Sequence, residues 1–124
     1  MARVLVAEDE PAVRAFVERA LGQAGHDVTV AADGSEALQK LEGAVQSGEA
    51  FDLLLTDIVM PAMDGIALAL RAARDAPEMK ILLMTGFADQ RERAHRLETI
   101  IVDVLSKPFT LDELVAKVSA ALDA

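Results

Sequence analysis

The sequence predicts an α/β fold in which a doubly wound, five-stranded parallel sheet carries helices on both faces. Two observations predict this fold. Five short and nearly continuous apolar runs are typical of strands that are covered on both faces. The segments between the runs carry apolar residues at helical spacing. The two patterns alternate along the whole chain, which predicts five β–α units in one domain, residues 1–124, without a linker or an output domain.

The predicted strands end in polar or charged residues. The apolar runs cover residues 3–7, 28–31, 51–56, 80–84 and 100–105. The ends of four of these runs carry Glu8 and Asp9, Asp57, Thr85 and Lys107, respectively. In a parallel α/β sheet the carboxyl ends of the strands meet at one edge, and binding sites form there. These five residues are therefore expected to lie close together.

The helices are predicted from their apolar spacing and from their capping or breaking residues. Gly22 and Gly25 end the first helix, Ser35 is expected to cap the second, and Thr110 the fifth. The segment 88–97 is mostly polar, which predicts a short or mobile fourth helix. The predicted core stripes of the first three helices are Val13, Phe16, Val17, Ala20 and Leu21; Ala37, Leu38, Leu41 and Val45; Ile66, Ala69, Leu70 and Ala73.

Composition excludes several classes of function. The formal net charge is −9 and the isoelectric point is about 4.6, which argue against binding to nucleic acid or to anionic membranes. The chain has no cysteine for disulfides or thiolate metal sites. No apolar run approaches the roughly 20 residues of a membrane span. These properties predict a cytoplasmic protein.

The expected cluster of polar residues has a definite chemistry. Three carboxylates, from Glu8, Asp9 and Asp57, repel one another, and a hard cation such as Mg²⁺ relieves that repulsion. A carboxylate such as Asp57 can act as a nucleophile and form an aspartyl phosphate. Lys107 and Thr85 can then hold phosphoryl oxygens by charge and by a hydrogen bond. The pattern predicts a Mg²⁺-dependent phosphoryl site.

These residues closely resemble the response-regulator receiver family of two-component signalling systems, the CheY-like superfamily. The match runs over about residues 3–122. Its motifs are Glu8-Asp9, Met60-Pro61 with Met63-Asp64-Gly65, Thr85-Gly86, and Lys107-Pro108-Phe109. The resemblance implies a flavodoxin-like (βα)₅ fold with strand order 2-1-3-4-5. It also implies a stand-alone switch rather than an enzyme, with at most self-catalysed phosphorylation and dephosphorylation.

The resemblance also implies a role for each site residue. Asp57 would be the phospho-acceptor. Asp9, Asp57 and the backbone carbonyl of Val59 would be direct Mg²⁺ ligands, and Glu8 would act through a metal-bound water. Thr85 and Lys107 would grip the phosphoryl group, and the Lys107–Pro108 peptide bond would be cis. The chain departs from the family at Val104, where an aromatic switch residue is usual.

The resemblance extends to partners. A histidine kinase or a histidine phosphotransferase would donate the phosphoryl group. Residues 53–61, 84–88 and 105–109 are similar to the CpdR-type single-domain regulators of alphaproteobacteria, which are phosphorylated through a phosphotransferase and, unphosphorylated, prime the ClpXP protease. ClpX is therefore an expected target. The chain would be a monomer or a phosphorylation-dependent dimer.

Three alternatives remain open from the sequence. A chemotaxis-type or phosphate-sink receiver would share every site residue. A phosphatase with an aspartyl nucleophile of the haloacid-dehalogenase type needs a second acid two residues after the nucleophile, where this chain has Val59. A flavodoxin-like module that binds a nucleotide or a flavin would need a phosphate-binding loop after the first strand. That position carries Glu8-Asp9-Glu10, which repels phosphate in the absence of a metal.

Overall fold

The computed structural model describes residues 2–86 and 88–124. Strands and helices alternate throughout, as the sequence predicts. The strands are β1 (Arg3–Ala7), β2 (Asp27–Ala31), β3 (Leu53–Asp57), β4 (Lys80–Thr85) and β5 (Asp103–Ser106). The helices are α1 (Pro11–Gln23), α2 (Gly34–Ser47), α3 (Gly65–Asp75), α4 (Ala88–His95) and α5 (Leu111–Leu122).

The five strands form one parallel sheet in the order β2-β1-β3-β4-β5, which confirms the predicted topology. The strand order reverses between β1 and β3, so the carboxyl ends of these two strands flank the crevice where doubly wound sheets bind ligands. Ala7 of β1 is in register with Thr56 of β3, one residue before Asp57. Thr85 of β4 is in register with Ser106 of β5, one residue before Lys107.

The core forms one layer on each face of the sheet. Helices α1 and α5 cover one face, and α2, α3 and α4 cover the other. Successive strand residues point to opposite faces, so Val4 and Val6 pack in the first layer whereas Leu5 and Ala7 pack in the second. All four are fully buried. Burial on both faces explains why the strand sequences are continuously apolar.

The helix caps agree with the sequence at α5 and differ at α2. Thr110 caps α5 in a capping box with Glu113, as predicted. The cap of α2 is Asp33, whose Oδ1 accepts a hydrogen bond of 2.8 Å from the backbone N–H of Glu36. The prediction of Ser35 as this cap was wrong, because the helix already begins at Gly34.

The predicted core stripes were too wide in three helices. Phe16, Val45 and Leu70 were predicted to be core residues but are 42%, 42% and 51% exposed. In each case the neighbouring apolar residues of the helix suffice to fill the layer against the sheet, and the outer residue of the stripe stays in contact with solvent.

The fifth strand is shorter than its apolar run. The run predicted a strand over residues 100–105, but β5 covers Asp103–Ser106. Residues Ile100 and Ile101 belong to a turn in which both backbone N–H groups donate to the carbonyl of Leu97. Ile101 still packs against the core. The apolar run in the sequence is therefore longer than β5 because a residue that precedes the strand also packs against the core.

The loop after β3 leaves no room for a side chain at Gly65. The N–H of Gly65 donates a hydrogen bond of 2.7 Å to the carbonyl of Ile58. A Cβ added at Gly65 would lie 1.9 Å from the carbonyl oxygen of Asp57. Glycine at this position therefore permits the close return of the chain beneath Asp57.

Gly65→Ala is expected to lower the free energy of unfolding by about 2–4 kcal/mol, since the backbone of Asp57 must shift to admit the methyl group. Urea unfolding measures the effect. Gly43→Ala is the matched control, because Gly43 lies in α2 with open space around its Cα. That change should raise stability by about 0.5–1 kcal/mol through helix propensity. Equal effects of the two substitutions would contradict the steric argument.

Candidate functional site

The predicted site residues meet at the carboxyl edge of the sheet. One carboxylate oxygen from each of Glu8, Asp9 and Asp57 lies within 4.8 Å of the other two. Lys107 contacts two of the three: its Nζ lies 2.6 Å from Oε1 of Glu8 and 3.1 Å from Oδ2 of Asp57. The structure therefore brings together residues that lie up to 99 positions apart in the chain.

Lys107 balances part of the negative charge of this cluster. Burial lowers the pKa of Lys107, but hydrogen bonds and charge from Glu8 and Asp57 outweigh burial, so the pKa lies above its ordinary value. The ammonium group therefore stays protonated throughout the physiological range. The Lys107–Pro108 peptide bond is cis, which confirms that expectation.

Glu8 is fully buried, whereas Asp9 is exposed. The second carboxylate oxygen of Glu8 accepts a hydrogen bond of 3.0 Å from the N–H of Glu10. The carbonyl of Glu8 accepts another from Nη1 of Arg14, at 2.9 Å. Burial raises the pKa of Glu8 above its ordinary value, against the opposing hydrogen bonds from Lys107 and from the N–H of Glu10. Glu8 is thus held rigidly at the floor of the site.

Asp57 is 8% exposed, and both of its carboxylate oxygens have partners. Oδ1 accepts from the N–H of Ile58 at 2.9 Å, and Oδ2 accepts from Lys107. The backbone carbonyl of Asp57 accepts from the hydroxyl of Thr56 at 2.9 Å. These contacts fix the orientation of the carboxylate while leaving it accessible from solvent.

Thr85 brings a hydroxyl to the same edge. It is fully buried, and its Oγ1 has no hydrogen-bond partner among the residues that the structure describes. A buried hydroxyl without a partner is costly, and such groups often face a ligand. The backbone carbonyl of Thr85 accepts from the N–H of Lys107 at 2.7 Å, which joins the two residues through their backbones.

The donor set fits a hard divalent cation. The cluster of Glu8, Asp9 and Asp57 offers carboxylate oxygens from one buried, one exposed and one nearly buried residue. Carboxylates with access to water are the ligands that Mg²⁺ prefers. The acidic cluster could therefore bind a metal ion on its open side, where Asp9 lies. The predicted backbone ligand, Val59, follows Asp57 by two residues, and the residue is 55% exposed.

The comparisons with known proteins agree with this geometry. Residues 4–119 match the response regulator receiver domain. The chain therefore belongs to the response regulator receiver domain family. It is a receiver that acts as a phosphorylation-controlled switch, with a five-stranded CheY-like fold.

Among individual proteins, the chain is similar to the response regulator receiver protein CpdR of Brucella abortus (strain 2308), with 44% identity over 98% of both chains. It is 36% identical to the transcriptional regulatory protein TcrA of Mycobacterium tuberculosis, but spans only 45% of that longer protein. The structure of the response regulator TrrA of Thermotoga maritima in complex with Mg²⁺ and BeF matches at a TM-score of 0.82 and 30% identity, covering 98% of this chain and 99% of that one.

Two contacts at the rim of the site were not predicted from the sequence. Oε1 of Gln90 accepts a hydrogen bond of 2.7 Å from the N–H of Gly86, and Arg14 supports Glu8 as described above. Glutamine at the third position of a helix is a capping signal, and it could have indicated the first contact. The contact of Arg14 with Glu8 joins α1 to the end of β1, and no local sequence pattern indicates it.

Glu8→Gln is expected to gain stability relative to the wild type as the pH rises above 4.5, the ordinary pKa of the group. The raised pKa means that the unfolded chain loses the Glu8 proton first, so the stability of the wild type falls with pH until the folded form also ionises. The uncharged amide has no such dependence.

Urea unfolding in EDTA, at pH values from about 4 to 7, measures the difference. Glu10→Gln, in the same turn and exposed, controls for the loss of one negative charge. A difference between Glu8→Gln and the wild type that is constant across this range would contradict the argument.

Proposed function

We propose that Asp57 accepts a phosphoryl group and that its phosphorylation controls the binding of another protein. The observation that carries this proposal is the contact of Lys107 with both Glu8 and Asp57 beside the exposed Asp9. The arrangement supplies a nucleophile, a fixed positive charge and a place for a metal ion at one open edge. Val59 lies two residues after Asp57, the position at which a phosphatase of the haloacid-dehalogenase type carries its second acid.

The chain's own residues account for each part of phosphoryl transfer. A carboxylate oxygen of Asp57 attacks phosphorus, and a new P–O bond forms. The P–N bond of a donor phosphohistidine breaks, its electron pair returns to the imidazole nitrogen, and that nitrogen takes up a proton from solvent. Lys107 shifts from the Asp57 carboxylate to a phosphoryl oxygen, and the hydroxyl of Thr85, which has no partner among the described residues, donates to another.

A magnesium ion would be held by Asp9, Asp57 and the backbone carbonyl of Val59, with Glu8 acting through a water. When bound, it would neutralise phosphoryl charge during transfer. The support for this ligand set is the proximity of the three carboxylates and the Mg²⁺ in the TrrA complex. The protein itself supplies position and charge rather than turnover of an external substrate, so we propose that it is not an enzyme.

Intact mass spectrometry after treatment with Mg²⁺ and acetyl phosphate tests the chemistry. We expect the wild type to gain one phosphoryl group and Asp57→Ala to gain none, because the carboxylate of Asp57, which Lys107 contacts, supplies the attacking oxygen. Asp112→Ala is the control, since Asp112 is exposed on α5. Phosphorylation of Asp57→Ala to the wild-type extent, or none in the wild type, would refute the proposal.

An apolar groove beside the site fits a protein that donates the phosphoryl group. It has a volume of about 480 Å³ and lies between α1 and the loop after β5. Phe16 and Phe109 form an aromatic pair with ring centroids 6.3 Å apart, and Phe16 is 42% exposed. Lys107 and Gly86 also line the groove, which makes it continuous with the site. We propose that a histidine kinase or histidine phosphotransferase packs here while its phosphohistidine reaches Asp57.

Phe16→Ala is therefore expected to slow phosphoryl transfer from a phosphotransferase by about tenfold or more, because an exposed aromatic residue is a typical interface anchor. The rate with acetyl phosphate should stay unchanged. Val45→Ala is the matched control, as Val45 is equally exposed but lies on α2. Rapid-quench phosphotransfer assays give both rates. A loss with acetyl phosphate as well would indicate damage to the site rather than to docking.

For the output, we propose control of ClpXP in the manner of CpdR. The support is the similarity to CpdR over nearly the full length of both chains. No helix in the described part of the chain is long and apolar enough to cross a membrane. We propose a cytoplasmic location, where both the phosphodonor and the protease act. We also propose that the protein is a monomer or a dimer that forms on phosphorylation.

A pull-down with purified ClpX tests this partner. If the protein follows CpdR, ClpX should retain the unphosphorylated wild type and Asp57→Ala, and should release the wild type when Mg²⁺ and beryllofluoride occupy the site. Asp57→Ala with beryllofluoride is the control for effects of the reagent on ClpX. Equal binding of ClpX to all forms, or to none, would refute the assignment of this partner while leaving the receiver chemistry intact.

A further inference from the structure

The described side chains of helix α4 bury little apolar surface against the domain. Among its side chains that the structure describes, only Gln90 and Ala94 are buried, and they lie one turn apart on the same face. The others are the exposed residues Arg91, Glu92, Arg93 and His95. A helix that buries so little apolar surface gains little stability from packing.

Gln90 makes a buried polar contact with the domain. The residue is 8% exposed, and its Oε1 accepts a hydrogen bond of 2.7 Å from the N–H of Gly86. Gly86 follows Thr85 directly and lines the same groove as Lys107. A movement of the Thr85–Gly86 segment therefore acts on this hydrogen bond to the first turn of α4, in addition to the covalent path along the chain.

The second polar contact lies farther from the site and is weaker. Nη2 of Arg93 lies 3.3 Å from Oδ2 of Asp64, the residue that caps α3. Both side chains are more than two-fifths exposed, so solvent screens the pair. Of these two contacts, the hydrogen bond of Gln90 is the better buried, and it is continuous with the phosphoryl site through Gly86.

We propose that Gln90 is a positioning residue that holds Gly86, and through it Thr85, in the unphosphorylated arrangement. This inference rests on the proposed function. The hydroxyl of Thr85 has no partner among the described residues, so a phosphoryl oxygen on Asp57 draws it inward. The displacement of Gly86 lengthens or breaks its hydrogen bond to Gln90, and α4 is released from the end of β4.

This contact offers a route for the signal that does not need an aromatic ring. Val104 on β5 is half-buried and too small to swing between two positions as a ring does. Because the Gln90 contact favours the unphosphorylated state, its removal should favour the phosphorylated one. One hydrogen bond corresponds to a change of about two- to tenfold in the equilibrium.

The affinity for beryllofluoride in saturating Mg²⁺ tests the proposal, with amide hydrogen exchange of α4 as the second readout. We expect Gln90→Ala to bind beryllofluoride about two- to tenfold more tightly than the wild type. Its α4 amides should exchange faster before binding and change less upon binding. Gln90→Glu keeps the acceptor oxygen and should bind no more tightly than the wild type.

Gln46→Ala is the matched control, because it makes the same substitution at an exposed position in α2, and its affinity should equal that of the wild type. A purely structural Gln90 would lower the stability of free and bound forms equally and leave the affinity unchanged. Unchanged or weaker binding by Gln90→Ala overturns the proposal, as does tighter binding by Gln90→Glu. If the wild type does not bind beryllofluoride at all, the proposed function fails first.

Discussion

The ammonium group of Lys107 joins three strands that are distant in sequence. It contacts Glu8 after β1 and Asp57 at the end of β3, and Lys107 itself follows β5. Without this cation the buried Glu8 and the nearly buried Asp57 would repel each other at close range. Attraction to one positive charge and repulsion between carboxylates therefore balance at the same point. A phosphoryl group or a metal ion placed there changes the balance at once.

The rest of the fold keeps these charged groups in fixed positions. Two apolar layers hold the strands in place, and the parallel register determines which residues lie side by side at the strand ends. Glycine at position 65 allows the chain to return directly beneath Asp57, and Gly34 similarly allows α2 to approach the carbonyl of Met63. The site is thus built on rigid elements, and its charges need little reorganisation when a phosphoryl group arrives.

The sequence predicted the sheet and the site more accurately than the edges of the elements. Strand ends were predictable because continuous apolar runs stop abruptly at Glu8, Asp57 and Thr85, and parallel topology then brings those ends together. The limits of β5 were not predictable, because Ile101 packs against the core although it lies, like Ile100, in the turn before the strand. The cap of α2 was misassigned because Asp33 and Ser35 are both good caps, and only the backbone decides between them.

The polar composition of α4 is explained by its contacts. An amphipathic helix would bury a wide apolar stripe, and its detachment would cost more free energy than that of a mostly polar helix. The described contacts of α4 are the buried Ala94, the hydrogen bond of Gln90 and one screened ion pair, so the helix is held less firmly than the helices with wide apolar stripes. The same sequence therefore combines a charged site that is held rigidly with a neighbouring helix that is held weakly. A change of charge at the site can alter the surface formed by α4 only through a segment that contacts both the site and the helix. Here that segment is Thr85–Gly86.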